Sequence, residues 1–330
     1  MITVVITESE YQKAQAIFDE TTGMAFVPVS DDEPALSDAI RRTGTRFAII
    51  GHQPYVDELY RAVPAGGLLA RFGVGHDGVD KAKATAAGIF CTNTPDTLVD
   101  SVAEHTIALL LAFSRKLVPM ATAMSRGNWT PQLGLEVRGR RLAIIGVGAI
   151  GLRTAKIASV GLGMAVVVCG RAESTRPAHL EDSGIGFTRN LDETLRDSEF
   201  ISVHIPGTKE NFHFLDRRRL DALQTTTCVI NTSRGSVIDE VALYDVLAAG
   251  RIAGAALDVF TAEPYVPAAP DKDLRKLDNV VLTPHVGSYT ETALRRMAER
   301  AIQNVRAAEE GRYTELDLLN PCVLKNARPR

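Results

Sequence analysis

Six residues, Gly146-Val147-Gly148-Ala149-Ile150-Gly151, narrow the folds open to this chain more than any others. They follow Leu142-Ala143-Ile144-Ile145, an unbroken apolar run of strand character, and precede a helix-like pattern over 153–160. Glycines at this spacing permit a tight strand-to-helix turn, close approach of the backbone to a pyrophosphate, and close packing of helix on strand. The unsatisfied amides at the start of the helix then face the phosphates. A packing turn without a ligand is the plainer alternative, and the flanking strand and helix argue against it. The segment therefore predicts a βα unit of a parallel sheet with a dinucleotide at Gly146, Gly148 and Gly151.

The same alternation runs along the whole chain. Strand patterns are read at 2–6, 47–50, 68–72 and 89–91, and helical patterns at 10–18, 56–62 and 80–87. A long helical pattern covers 101–124. Residues 125–140, with Gly127, Pro131, Gly134 and Gly139, read as a loop or arm. A second βα series runs from Leu142 to about Val286, one long helix rich in Ala and Arg covers 289–310, and 320–330 is a polar, partly mobile tail. Such a rhythm predicts parallel sheets with crossover helices, and 330 residues exceed one ordinary core. The expected architecture is α/β, with two Rossmann-like, doubly wound parallel-sheet domains. A cofactor domain, 101–288, is inserted into a substrate-binding domain formed by 1–100 and 289–330, and the two crossings make a hinge.

A net charge of −3 gives no support for binding nucleic acid or an anionic membrane. The longest apolar stretch, 108–113, lies between charged residues and falls far short of the ~20 residues of a membrane span. The N-terminus lacks the features of a signal peptide. Four scattered cysteines fit a reducing compartment, so a cytoplasmic location is expected. His52, His105, His179 and His213 have no partners at metal-ligand spacing, and no metal is expected.

Three polar residues each follow an apolar, strand-like run: Arg234 after 228–230, Glu263 after 255–257, and His285 after 280–282. The carboxyl ends of strands in an open parallel sheet are where ligands bind. A fixed cation, a carboxylate and an imidazole supply what reduction of a 2-oxo acid requires: an anion anchor, a proton donor and a group that tunes the donor. Taken singly, each has a plainer reading: a surface ion pair, a capping carboxylate and a satisfied loop histidine. Gly170 lies twenty-two residues beyond Gly148, where an acidic residue usually holds the ribose 2′-hydroxyl of NAD. With Gly170 there and Arg171 beside it, a 2′-phosphate is accommodated instead, and Ser174, Thr175 or Arg176 add donors; the alternative is an exposed surface arginine. His204 and Pro206 end another strand, where the histidine either touches the cofactor or is a hydrogen-bonded strand end. In the glycine-rich loop 70–77, the amides of Val74 and Gly75 form an anion nest for a substrate carboxylate or belong to an ordinary turn. His76 is read as structural.

These segments together resemble the D-isomer-specific 2-hydroxyacid dehydrogenase family over nearly the whole chain. The resemblance rests on 72–80 (FGVGHDGVD), 93–111 (NTPDTLVDSVAEHTIALLL), 146–151 (GVGAIG), 204–208 (HIPGT), 230–239 (INTSRGSVID), 256–264 (ALDVFTAEP) and 283–288 (TPHVGS). It implies Arg234 as substrate anchor, His285 as acid/base and Glu263 as its partner. It also implies cofactor contacts at Ala149, Ile150, Thr232, Asp258 and Gly287, and a homodimer built through the cofactor domain. Two positions depart from the family pattern: Ala149 stands where an Arg is frequent, and Gly170 where the ribose-binding acid stands. Formate dehydrogenases carry Gln at the place of Glu263, phosphite dehydrogenases carry Lys at the place of Val74, and phosphoglycerate dehydrogenases usually keep the ribose acid. The resemblance thus points to a short reductase of glyoxylate, hydroxypyruvate or a similar 2-oxo acid. NADP(H) is the preferred cofactor and NAD(H) the alternative. Relatives that act as NAD(H)-sensing co-repressors carry the same triad, so the triad alone does not separate enzyme from interaction protein.

Overall fold

The computed structural model describes residues 1–180 and 183–325. The chain divides into two compact units: Met1–Leu98 with the segment from Tyr289 onward, and Val99–Ser288.

The first unit is built on a five-stranded sheet of β1 (Ile2–Thr7), β2 (Met24–Val29), β3 (Phe47–Ile50), β4 (Leu68–Arg71) and β5 (Phe90–Thr92), in the order β2-β1-β3-β4-β5. Every pairing is parallel. Strands covered on both faces read as continuous apolar runs, and Phe47, Ala48, Ile49 and Ile50 are all at most 3% exposed. Strand β2 and the helix Glu33–Thr43 stand where no element was read from the sequence. Pro28 disguises β2 as a loop, and the sheet tolerates it because β2 is an edge strand. The helix is capped by Asp32, which accepts from the Ala35 amide, and ends on Gly44 at φ 67°. The helix expected over 10–18 is instead two short ones, Glu8–Lys13 and Gln15–Glu20, broken at Ala14. The long C-terminal helix, Glu291–Glu309, buries Met297, Ala301 and Val305 along one stripe. Of the predicted tail, 326–330 lie outside the described residues. Before them, Asn320 accepts from the Cys91 amide through its side-chain oxygen and donates its side-chain NH2 to the Ile89 carbonyl, closing the β5 edge.

The second unit holds seven strands: β6 (Arg141–Ile145), β7 (Ala165–Cys169), β8 (Gly186–Thr188), β9 (Phe200–Val203), β10 (Cys228–Asn231), β11 (Gly254–Leu257) and β12 (Val280–Leu282). Their order is β12-β11-β10-β9-β6-β7-β8, again with parallel pairings throughout. Alternate residues feed two cores. Ala143, Ile145, Ile201, Val203, Val229, Ala255 and Leu257 face one, with Leu243, Val246 and Leu247 of the helix Glu240–Ala248. Leu142, Ile144, Phe200, Ile230 and Ala256 face the other, with Ile107, Leu110 and Phe113 of the helix Val99–Ser114. Chain order reverses between β6 and β9, which makes the carboxyl edge there a topological switch point.

The helix expected over 101–124 is not continuous. Val99–Ser114 and Leu117–Ser125 meet at Lys116, whose φ is 52°, and bend by 70°. Lys116 itself takes the left-handed conformation, and Pro119, which a helix tolerates only in its first turn, stands in the opening turn of the second helix. Among the described residues no single helix is long and apolar enough to cross a membrane.

Candidate active site

In a parallel sheet every strand ends on the same edge. The loops after β6, β7, β9, β10, β11 and β12 therefore bring the glycine turn, Gly170-Arg171, His204, Arg234, Glu263 and His285 to one side of the second unit.

The three motif glycines have distinct duties. Gly146 has φ 120°, and a Cβ there would lie 2.4 Å from the His204 carbonyl oxygen. A Cβ on Gly151 would press on Ile144 and His204, so that glycine lets helix and strand touch. Around Gly148 a Cβ would meet nothing within 4 Å, and this residue is the N-cap of the helix Ala149–Lys156 with no side-chain cap. The turn thus keeps a face open beside uncapped amides, including those of Ala149 and Ile150, which fits a pyrophosphate.

His204 ends the run of β9 and is hydrogen-bonded within it. Its Nε2 lies 2.8 Å from the Ser202 hydroxyl, and burial pushes its pKa down to about 4, leaving the ring neutral. Pro206 is exposed, and its carbonyl accepts from the Asn211 side chain at 2.8 Å.

The ribose end differs from expectation in two respects. The space above Gly170 is taken by Ser174: a Cβ on Gly170 would lie 2.7 Å from the Ser174 Cβ. The Ser174 hydroxyl accepts from the Arg171 amide at 3.0 Å, so the turn is closed by that serine. Arg171 is exposed, with its guanidinium 3.5 Å from Asn211 Oδ1. Arg176, expected among the phosphate donors, instead donates to the Leu180 and Ile185 carbonyls.

The triad is assembled by its own loops. Asn231, 1% exposed at the end of β10, accepts from the Ser233 amide and hydroxyl and donates to the Arg234 carbonyl at 2.8 Å. This turn projects Arg234, whose Nη1 donates to the Ser233 carbonyl and whose Cγ lies 3.0 Å from where a Cβ on Gly207 would stand. Glu263 Oε1 accepts from the Phe260 amide at 2.9 Å, while Oε2 lies 2.6 Å from His285 Nδ1. His285 sits at φ 53°, a conformation rarely adopted by residues other than glycine. Its amide donates to the Asp258 carbonyl at 2.8 Å, one of the bonds that hold it there.

Asp258, assigned to the cofactor from the resemblance, has its carboxylate directed into the loop after β12. It is 1% exposed and accepts from the amides of Val286 (2.9 Å) and Gly287 (2.8 Å) and the Thr283 hydroxyl (2.6 Å). His105 Nε2 lies 3.3 Å away. Burial alone would raise the pKa of this acid, but the hydrogen bonds from His105, Thr283 and the two amides hold it below the ordinary value. Gly287 also accepts from the Ser101 hydroxyl through its carbonyl, and Thr232 meets Thr106 at 2.9 Å. Asn231, His105 and Thr283 were not picked out in the sequence as functional. Asn231 and Thr283 stood out only as sequence neighbours of Arg234 and His285, and nothing local pointed to His105, whose partners Thr283 and Asp258 are distant in the chain.

In the first unit, Val74 and Gly75 follow β4. Gly73 has φ 128°, and a Cβ there would lie 2.7 Å from the Arg71 guanidinium. The Asn93 side chain donates to the Val74 carbonyl at 2.8 Å, and the Thr94 amide donates to the Gly73 carbonyl at 3.1 Å, fixing the course of the loop. His76 Nδ1 lies 3.1 Å from Lys81 Nζ, in line with a structural role. Among the described residues no group of three or more His, Cys, Asp or Glu side chains has the arrangement of a metal site.

Comparison with known proteins adds to this geometry. The family model for the D-isomer specific 2-hydroxyacid dehydrogenase NAD-binding domain matches residues 107–287. A glyoxylate reductase of Thermococcus litoralis is 38% identical over 281 residues, 82% of each chain. An NADPH-dependent glyoxylate/hydroxypyruvate reductase from Sinorhizobium meliloti, solved with NADP and malonate, is 29% identical with a TM-score of 0.82, covering 100% of this chain and 99% of that one. A D-lactate dehydrogenase from Aquifex aeolicus, solved with NAD and lactic acid, is 26% identical with a TM-score of 0.82, covering 96% and 98%.

Proposed function

We propose that this chain, which belongs to the D-isomer-specific 2-hydroxyacid dehydrogenase family, reduces small 2-oxo acids such as glyoxylate or hydroxypyruvate to D-2-hydroxy acids. As a member of that family it is an NAD(P)-dependent oxidoreductase acting on CH–OH donors. The observation that carries the substrate reading is the Glu263–His285 pair at 2.6 Å, on the edge that also presents Arg234 and the glycine turn.

Gly146, Gly148, Gly151 and the amides of Ala149 and Ile150 hold the pyrophosphate, with Thr232, Asp258, His285 and Gly287 assigned to the nicotinamide end and His204 and Pro206 lining the strand-end turn between. When bound, the cofactor supplies hydride to C2 of the oxo acid. The amides of Val74 and Gly75 are assigned the substrate carboxylate. Arg234 binds that carboxylate and the 2-oxo oxygen, polarising the carbonyl as only a planar fork of donors does. Glu263 holds His285 by Nδ1, so Nε2 is the nitrogen that gives a proton to the developing alkoxide. Without the carboxylate the ring would lose the contact that fixes its orientation.

NADP(H) is proposed as the preferred cofactor and NAD(H) as the weaker one. No carboxylate stands at Gly170 to repel a 2′-phosphate, and Arg171 and the Ser174 hydroxyl lie beside it. A homodimer is proposed as well. The helix Leu117–Ser125 buries none of its residues within one chain, and Trp129 and Leu133 beyond it are 82% and 95% exposed.

The test is a steady-state screen of glyoxylate, hydroxypyruvate, pyruvate and larger 2-oxo acids with NADPH and with NADH. Turnover of the small acids, faster with NADPH, is the expected result. No turnover of any 2-oxo acid would refute the enzymatic reading, and a kcat/KM ratio favouring NADH would refute the cofactor reading alone. Sedimentation of the purified protein as a monomer would refute the dimer.

A further inference from the structure

Glu240 opens the helix Glu240–Ala248, one residue after its N-cap Asp239, whose side chain accepts from the Ala242 amide at 3.0 Å. A glutamate at this position would ordinarily reach water and interact with the positive end of its helix. This one is only 8% exposed. Its Oε2 accepts from the Thr261 amide at 3.1 Å, and its Oε1 is buried with no hydrogen-bond partner among the described residues. Burying a carboxylate for a single amide bond contributes little to stability, since desolvation offsets most of the gain. The bond matters for where it leads: it ties a helix start to the turn that carries Glu263.

That turn is held from three directions. Gly235, next to Arg234, sits so close that a Cβ on it would lie 1.9 Å from the Phe260 carbonyl carbon. Glu263 folds back on its own turn, Oε1 accepting from the Phe260 amide at 2.9 Å. The third hold is Glu240 on Thr261. With these in place, Glu263 Oε2 reaches His285 Nδ1 at 2.6 Å. Close contact at Gly235 stops the turn from moving inward, but only an attractive contact stops it from moving away.

We propose that Glu240 is a positioning residue: its bond to the Thr261 amide holds the 260–263 turn so that Glu263 stays engaged with His285. The proposal rests on the acid/base reading of Glu263 and His285 given above. A shift of about 1 Å at a reacting group can cost on the order of a hundredfold in rate, so losing one anchor of a multiply held turn is expected to lower kcat roughly tenfold while the affinity for cofactor stays as it was.

The experiment measures kcat and KM for glyoxylate with NADPH, as a function of pH, in Glu240→Ala, Glu240→Gln, Glu263→Gln and the double variant Glu240→Ala/Glu263→Gln, with cofactor affinity from fluorescence titration. Glu240→Ala is expected to lower kcat and to move the alkaline fall-off of reduction toward lower pH, in the direction of Glu263→Gln. Glu240→Gln keeps an acceptor for the Thr261 amide and is expected to recover most of the loss. In the Glu263→Gln background, Glu240→Ala should have less than a twofold further effect, because the contact it supports is already impaired. An unmoved pH profile in Glu240→Ala, or full additivity of the two changes, overturns the proposal. If Glu240→Ala does not fold, Glu240→Asp, which pulls the carboxylate back by one methylene, serves the same comparison with the same outcomes. A normal pH profile in Glu263→Gln itself would instead remove the acid/base reading on which the proposal stands.

Discussion

Replacing Asp258 by Asn changes one oxygen to an amide and tests how the His285 turn is held. In the wild type, Oδ2 takes the Gly287 amide at 2.8 Å, while Oδ1 takes the Val286 amide at 2.9 Å and the Thr283 hydroxyl at 2.6 Å. Asparagine keeps a single acceptor oxygen. The least damaging placement leaves that oxygen on the Val286 and Thr283 side and turns the NH2 toward the Gly287 amide, donor against donor. One charge-assisted bond is then lost, worth about 1.5–3 kcal/mol, and the remaining bonds weaken to neutral ones. With Gly287 buried, its amide has no easy replacement from water. The sum is a loss of roughly 2–4 kcal/mol, or on the order of 4–16 °C in the melting of a unit of this size. The pH dependence has a definite sign. The Asp258 pKa is lowered from its ordinary value of 3.8, so the carboxylate contributes stability that is present above that value and is lost as pH falls through the folded value below it. Urea unfolding of the ligand-free protein is the assay. The gap between wild type and Asp258→Asn should be constant from about pH 7 to 5 and should narrow below roughly pH 4. Equal midpoints at pH 7, or a gap that does not narrow in acid, would refute this account of the loop.

Arg234→Ala is expected to lower kcat/KM for 2-oxo acids by orders of magnitude, and Arg234→Lys to restore only part, since an ammonium cannot bridge two oxygens in one plane; near-normal steady-state kinetics in Arg234→Ala would remove the anchor role. Glu263→Gln should remain partly active in reduction with a lowered kcat, because the carboxylate that holds His285 Nδ1 is replaced by a neutral amide; a kcat like that of wild type would count against the pairing. The cofactor preference should shift toward NADH in Gly170→Asp/Arg171→Ala/Ser174→Gly, where the serine is removed because it occupies the space of the new side chain; the ratio of kcat/KM values for the two cofactors is the readout, and KM for the oxo acid should stay nearly constant. Gly235→Ala should destabilise the second unit by several kcal/mol, on the order of 3 or more, since its Cβ would collide with the Phe260 backbone; a melting temperature within a degree of wild type would show that the turn yields.

Much of the architecture was legible from local patterns. A parallel strand buried on both faces must be apolar throughout, so 142–145 and 228–230 announced themselves, and a glycine turn between strand and helix has few structural meanings. The residues after β10, β11 and β12 were likewise readable, because the edge of a parallel sheet is where polar side chains recur after apolar runs. What failed to show was decided by partners far along the chain. Strand β2 depends on its place at the sheet edge, which excuses Pro28, and the break at Lys116 is marked in the sequence only by Pro119, three residues into the next helix.

The amino-acid order by itself determined the two βα series, the glycine turn, and the identities of the cation, carboxylate and imidazole, since each is encoded within a few consecutive residues. Only the tertiary structure decided which atoms meet. Glu263 reaches His285 across twenty-two residues, Thr283 and His105 converge on Asp258, Ser174 fills the space beside Gly170, and Arg176 turns to backbone carbonyls. Such pairings follow from strand order, loop packing and the need to satisfy buried polar groups. Strand order is set by the whole core, so these contacts exist only once the sheet has brought distant loops to one edge.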